Sequence, residues 1–300
     1  MNILSVDQFS HEDVARILDR GKHWLAHIRT GDRLDGAGPL EGRSVVNLFF
    51  ENSTRTLLSF SLAAGRLGAF VTSLPVANSS VNKGESLADT ATTIGAMRPD
   101  VLVIRHPDNG APAEIEKWVS CPVVNAGDGT NEHPTQALLD AATIRHRFGR
   151  FDGLKVAICG DIKHSRVARS NAKLLPRLGA EVRLAGPPSL IPDDLPEAMS
   201  VDDAIAGADV VMMLRVQRER MSEALGDAPG EYLARYGLTR QRLNRAAPNV
   251  AVMHPGPMNR GVEIDGEIAD DSRRSVIPLQ VEIGVAIRMT CLEMIAGTVA

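Results

Sequence analysis

The sequence lacks the hallmarks of several protein classes. Its 300 residues include three cysteines, Cys121, Cys159 and Cys291, none in a Cys-x-x-Cys spacing. Neither a disulfide framework nor a zinc site is therefore indicated. Cys159 closes an apolar, strand-like run and reads as a core residue. Long apolar runs are missing too. The stretches Val101 to Ile104 and Val210 to Leu214 are strand-sized and far short of a membrane span. The N-terminus, "MNILSVDQFSHEDVARIL", carries acidic residues early where a secretion signal would be basic and then apolar, so a cytoplasmic protein is expected. No charge sign dominates: 37 acidic against 33 basic residues leave a net charge of -4. No global basic field points to nucleic acid, and no basic cluster flanks an apolar helix to suggest a membrane surface. There is no internal repeat of fixed period and no low-complexity segment. Any cationic site must be local.

What is present is a chain of ordinary globular composition, 44% hydrophobic and 23% charged, long enough for two compact domains. Ser10 and Asp13 stand in capping-box spacing ahead of a helical pattern ending near Ile28. Strand candidates follow at 44–50, 69–74, 101–105 and 122–125, with helical patterns between them. The short stretch "FGRFDG" at 148–153 interrupts this series. A second series follows in "LKVAIC", "AEVRLAG", "DVVMML" and "NVAVMH", again with helical segments between. Strands alternating with helices predict parallel sheets covered on both faces. The fold class is α/β: two doubly wound parallel-sheet domains, 1–148 and 149–283. The last run, "VIPLQVEIGVAIRMTCLEMIAG", reads as a long amphipathic helix, and its part from 284 to 300 is assigned to pack back on the first domain.

In doubly wound sheets, ligands bind where strands end and helices begin, because loop amides and helix N-termini present partial positive charge there. "FFENSTRTLLSF" at 49–60 is such a place. Its Ser53, Thr54, Arg55 and Thr56 offer backbone N–H groups, three hydroxyls and a guanidinium, the donor set a phosphate dianion needs. Simple N-capping by Ser53 is the plainer alternative. Other strand ends carry polar residues as well: Arg105 in "VIRHP", His133 and Gln136 in "NAGDGTNEHPTQALLD", Arg215 and Gln217 in "MMLRVQRER", and the backbone at Gly256 in "MHPGP". Arg166 opens a helix after "CGDIKHS", and Lys83 lies in the polar loop "NSSVNKGESLADT". The remaining histidines, among them His106, His164 and His254, read as structural or surface residues. Met212 and Met213 read as core filling.

STRT, KGES, IRHP, DGxxxHPTQxLLD, GDIKxSR, RVQRER and HPGP, in that order over nearly the whole chain, resemble the catalytic chains of the aspartate carbamoyltransferase family. The resemblance implies transfer of the carbamoyl group from carbamoyl phosphate to the amine of L-aspartate, with no cofactor and no metal. It implies a carbamoyl-phosphate-binding first domain and an aspartate-binding second one. By the same resemblance Ser53, Thr54, Arg55 and Thr56 cradle the phosphate, and Thr56, Arg105 and His133 donate to the carbonyl oxygen. Gln136 and the carbonyls near Gly256 and Pro257 hold the carbamoyl NH2. Arg166 and Arg215, with Gln217 beside them, hold the aspartate carboxylates. Lys83 contacts both substrates from a neighbouring subunit of a catalytic homotrimer, accompanied by Ser79 or Ser80, of which Ser80 is taken. A regulatory or dihydroorotase-type partner chain is left open, and neither nucleic acid nor membrane is expected as a partner.

Two rivals are weaker. Ornithine carbamoyltransferase, the nearest alternative, carries an HCLP motif where this chain has HPGP, and an ammonium side chain would want a carboxylate where this chain has arginines. A nucleotide-dependent oxidoreductase would need GxGxxG in "KVAICGDIKHSRVARSN", which is absent. One departure from the family pattern stands out: Leu57, Leu58 and Ser61 follow STRT where "SFE" is usual, leaving open how Arg55 is held.

Overall fold

The computed structural model describes residues 1–31, 34, 37–75, 84–194, 199–216 and 230–297. The chain divides into two compact units, Met1–Ala142 with Glu282–Ala300, and Thr143–Val281. Successive elements are α1 (His11–Thr30), β1 (Ser44–Phe49), α2 (Thr54–Arg66), β2 (Phe70–Pro75), α3 (Leu87–Ala96), β3 (Val101–His106), α4 (Ala111–Glu116), β4 (Val123–Asp128) and α5 (Pro134–Phe148). They continue with β5 (Lys155–Cys159), α6 (Arg166–Arg177), β6 (Glu181–Ala185), α7 (Val201–Ile205), β7 (Val210–Met213), α8 (Glu231–Tyr236), α9 (Arg240–Leu243), β8 (Ala251–Met253), α10 (Gly266–Ala269) and α11 (Ile277–Ile295). The division between units falls within α5 and within α11.

Both sheets are parallel and share one winding. Strand order is β2-β1-β3-β4 in the first unit and β6-β5-β7-β8 in the second. The strands β4, β7 and β8 are buried at every position. That is why β7 and β8 read as continuous apolar runs, since a parallel strand covered on both faces has no polar side, while β4 also buries Asn125 and Asp128. Cys159, Met212 and Met213 are all fully buried in this core, and burial pushes the Cys159 thiol up to about 12. At its start, α1 carries the capping box anticipated from Ser10 and Asp13.

In one respect α11 departs from the sequence reading. Between Ile283 and Ile295 it is buried almost all round instead of being amphipathic. Within the first unit it meets α1, α2 and α5. Glu293 accepts from Arg20 Nε at 2.8 Å and from Trp24 Nε1 at 2.8 Å. Arg288 Nη1 donates to Ser59 Oγ at 2.7 Å and its guanidinium lies over the Phe60 ring. A Cβ on Gly21 would come within 2.5 Å of the Ile287 Cδ1 atom, so a larger residue there would require the Ile287 side chain to shift. Because it fits among three helices, α11 needs apolar residues on every side. No helix among the described residues is long and apolar enough to cross a membrane.

Candidate active site

The expected site residues occupy the C-terminal ends of adjacent strands, separately in each unit. In the first sheet β1 and β3 are neighbours, with Phe49 opposite Arg105, and β3 neighbours β4. The chain leaves β1 for β2 on one side and returns to β3 on the other, so the junction of β1 and β3 is the sheet's switch point. STRT follows β1, Arg105 ends β3, and His133 with Gln136 follows β4. These are brought to one edge of one sheet. In the second sheet β5 and β7 flank the corresponding switch point. Arg166 follows β5, Arg215 follows β7, and Gly256 and Pro257 follow β8. Ser80 with its alternative Ser79, Lys83 and Gln217 lie outside the described residues.

STRT opens α2. Ser53 occupies the N-cap position yet makes no side-chain capping hydrogen bond, so its hydroxyl is not used for the plainer role. Thr54 and Arg55 are exposed, whereas Thr56 is buried. The first backbone N–H groups of a helix have no intrahelical acceptor, and here they stand beside three hydroxyls and a guanidinium. Ser61, where the sequence departs from the family pattern, receives Asn47 Nδ2 at 3.1 Å and donates to the Leu57 carbonyl at 2.9 Å. It thus tethers α2 to the middle of β1. Glu51, just before STRT, pairs with Arg105.

Arg105 Nη1 donates to the Ala126 carbonyl at 3.2 Å, and Arg105 Nε lies 3.4 Å from Glu51 Oε2. The guanidinium is held between the ends of β1 and β4. His133 is 3% exposed, and its carbonyl opens α5 by accepting Gln136 N and Ala137 N. Gln136 Nε2 donates to Asp140 Oδ1 at 3.0 Å, which leaves its Oε1 as the acceptor for an N–H donor.

Sequence reasoning missed the residues that hold these in place. Asp128 Oδ2 accepts from Gly110 N at 2.7 Å and Asn131 Nδ2 at 2.9 Å, while its Oδ1 accepts from Asn125 Nδ2 at 2.8 Å and Glu132 N at 3.1 Å. A buried carboxylate with four N–H donors fixes the loop that presents His133. Glu132 in turn accepts from Ser5 Oγ at 2.7 Å and Val6 N at 2.9 Å. The DG of DGxxxHPTQ was the available signal, since a buried turn-forming aspartate needs such donors. Beside Arg105, His106 packs against Phe50 at a tilt, with ring centroids 4.6 Å apart, and accepts Asp108 N on Nδ1 at 3.0 Å. Burial pushes its imidazole below the ordinary value, with Asp108, Asp128 and Glu51 partly offsetting the effect.

In the second unit Arg166 is the first residue of α6 and 6% exposed. Ser165 caps the helix by accepting Ala168 N at 3.1 Å. Gly256 has φ 71, a left-handed conformation that suits glycine, and the Gly256–Pro257 peptide is cis. His254, read from sequence as structural or surface, is buried and contacts this loop directly: its Nδ1 accepts Gly256 N at 2.9 Å. Among the described residues no cluster of three or more His, Cys, Asp or Glu side chains could hold a metal ion.

Two family models match the chain. Residues 1–146 match the aspartate/ornithine carbamoyltransferase, carbamoyl-P binding domain, and residues 152–295 match the aspartate/ornithine carbamoyltransferase, Asp/Orn binding domain. The chain is 52% identical over 305 aligned positions to the aspartate carbamoyltransferase catalytic subunit of Rhodospirillum rubrum, covering 100% of this chain and 95% of that one. It is 56% identical over 288 positions to the catalytic subunit of Rhizorhabdus wittichii, covering 94% and 90%. Among solved structures, it superposes with a TM-score of 0.87 and 34% identity on the Trypanosoma cruzi aspartate transcarbamoylase in complex with N-(phosphonacetyl)-L-aspartic acid, covering 97% of this chain and 94% of that one. Fold, strand-end residues and these likenesses agree: the chain belongs to the aspartate/ornithine carbamoyltransferase family.

Proposed function

We infer that this chain transfers the carbamoyl group of carbamoyl phosphate to the α-amine of L-aspartate, giving N-carbamoyl-L-aspartate and phosphate. The amine lone pair attacks the carbonyl carbon, negative charge gathers on the carbonyl oxygen, and the bond to the phosphate oxygen then breaks as the extra amine proton passes to the departing phosphate. Ser53, Thr54, Arg55 and Thr56 hold the phosphate, each hydrogen bond to the dianion contributing about 1.5–3 kcal/mol. Thr56, Arg105 and His133 meet the growing oxyanion, where one well-placed donor contributes about 3–4 kcal/mol. Gln136 Oε1 and the carbonyls of Gly256 and Pro257 accept the carbamoyl N–H groups. Arg166 and Arg215, with Gln217, take the two aspartate carboxylates, and Lys83 and Ser80 complete the site. Holding both substrates in line contributes more than any single group, up to about 7–11 kcal/mol.

The observation that carries this reading is the placement of the donors. Cations and hydroxyls stand at the carboxyl ends of strands flanking the switch point of each parallel sheet. The sequence agrees on the acceptor: HPGP, and arginines at 166 and 215, suit a dicarboxylate. We place the reaction in the cytoplasm, at an early step of pyrimidine synthesis, and in a homotrimer whose neighbouring subunits share sites. The trimer is supported by an apolar surface on the first unit. Leu58 (56%), Leu62 (45%), Phe70 (73%) and Leu74 (39%) are exposed on α2 and the edge strand β2.

The test is an assay of carbamoyl transfer to L-aspartate and to L-ornithine side by side. Product from aspartate alone is expected. Product from ornithine alone would overturn the assignment. For shared sites, an inactive Arg55→Ala chain mixed with an inactive Lys83→Ala chain should regain activity, and no recovery would count against them.

A further inference from the structure

We propose that His254 is a positioning residue of this reaction, fixing the Gly256–Pro257 carbonyls against the carbamoyl nitrogen; the inference rests on the carbamoyl-transfer reading above. His254 and Glu263 side chains are both fully buried. A backbone N–H can only donate, so the 2.9 Å contact from Gly256 N to His254 Nδ1 requires that Nδ1 carry no proton. The ring proton therefore sits on Nε2, which donates to Glu263 Oε1 at 3.1 Å. The same carboxylate oxygen accepts Asn259 N. The backbone N–H of His254 donates to Gln280 Oε1 at 3.1 Å. One imidazole in a single tautomer thus ties the end of β8, the Gly256 amide and the Asn259 turn to one buried carboxylate.

The consequence is local and directional. Gly256 sits at φ 71, where glycine has a wide choice of conformations. With its amide held on Nδ1, the Pro255–Gly256 peptide plane is set, so the Pro255 carbonyl that shares it is fixed and the Gly256 and Pro257 carbonyls are carried from a fixed plane. The carbamoyl NH2 needs acceptors at fixed positions, and a misplacement of about 1 Å at such a contact costs on the order of 100-fold in rate. Glu263 acts one step further out, by keeping the proton on Nε2.

Two variants separate the ring's two functions. In His254→Asn, the side-chain carbonyl replaces Nδ1 as acceptor but the donor to Glu263 is lost. In His254→Gln, an amide N–H can replace Nε2 but the acceptor for Gly256 is lost. The readouts are kcat/KM for carbamoyl phosphate, the inhibition constant of inorganic phosphate, which has no carbamoyl group, and Tm. The Gln variant should lose about 10- to 100-fold in kcat/KM with phosphate inhibition unchanged. The Asn variant should stay within about threefold of the native chain even where its Tm falls further. The inference is overturned if the Gln variant keeps native kcat/KM, if both variants lose activity in step with Tm, or if phosphate inhibition weakens in parallel. Failure of the native chain to make carbamoyl aspartate would instead remove the underlying reading.

Discussion

Arg105 and Glu51 face each other across the junction of β1 and β3, with Nε and Oε2 3.4 Å apart. The pair is mostly withdrawn from solvent, so the carboxylate orients the guanidinium while attenuating its charge toward an arriving anion. If Arg105 meets the developing oxyanion as proposed, replacing it with Ala removes both a donor and a positive charge from it, and a fall of about 100- to 1,000-fold in kcat is expected. Glu51→Gln keeps the volume and removes the anchor charge. It should show a smaller loss, of about tenfold, chiefly in kcat. Steady-state kinetics with both substrates varied checks this, and a Glu51→Gln effect confined to the aspartate KM would move Glu51 to the other substrate.

Arg215 follows β7 and Arg166 opens α6, both in the second unit. Each is assigned one carboxylate of aspartate. Arg215→Ala should raise the aspartate KM by about 10- to 100-fold, as expected for a lost charge-assisted hydrogen bond of about 1.5–3 kcal/mol, with little change in the KM for carbamoyl phosphate. The reverse pattern would place Arg215 with the phosphate.

The strands, the two-domain series and the strand-end arginines were legible because each depends on short-range pattern. A parallel strand buried on both faces is an apolar run, and a ligand site at its end is a polar break in that run. The supports of the site were not legible. His254 and Glu263 meet across nine positions of irregular chain, and Asp128 collects donors from Gly110, Asn125, Asn131 and Glu132. No periodicity encodes such contacts, since tertiary folding makes them. The character of α11 was misread for a related reason. It was read as amphipathic, but its Arg288, Thr290 and Glu293 are all buried.

The exposed apolar residues of α2 and β2 offer a direct check on assembly. Leu58 and Leu62 lie one turn apart on α2, and Phe70 and Leu74 point to one side of β2. Large apolar residues clustered at a sheet edge invite a partner. Phe70→Glu combined with Leu58→Glu should lower the mass seen in sedimentation to that of a single chain and abolish activity together with it. A fully active monomer would refute shared sites.

Glu293 clamps the C-terminal helix to α1 by accepting from Arg20 and from the indole of Trp24. The carboxylate is 3% exposed. A hydrogen bond to a charged buried group contributes about 1.5–3 kcal/mol, so Glu293→Gln should destabilise the fold by about 2–3 kcal/mol. Urea unfolding would register this as a lower midpoint with unchanged slope. An unaltered midpoint would mean that apolar packing alone holds α11.

His106 ties the pH dependence of stability to the end of β3. Its imidazole titrates below the ordinary value of about 6.5 because burial disfavours the charged ring. Well above pH 6.5 both folded and unfolded chains carry it neutral, and it contributes no pH dependence there. As pH falls below 6.5 the unfolded chain takes up the proton first, so the unfolded state binds more protons and stability declines until the folded value is passed. His106→Asn keeps an acceptor for Asp108 N and cannot titrate. The drop in Tm between pH 7 and pH 5 should therefore be smaller in the variant than in the native chain. An equal drop would assign the acid sensitivity to other groups and leave His106 protonated no differently in the two states.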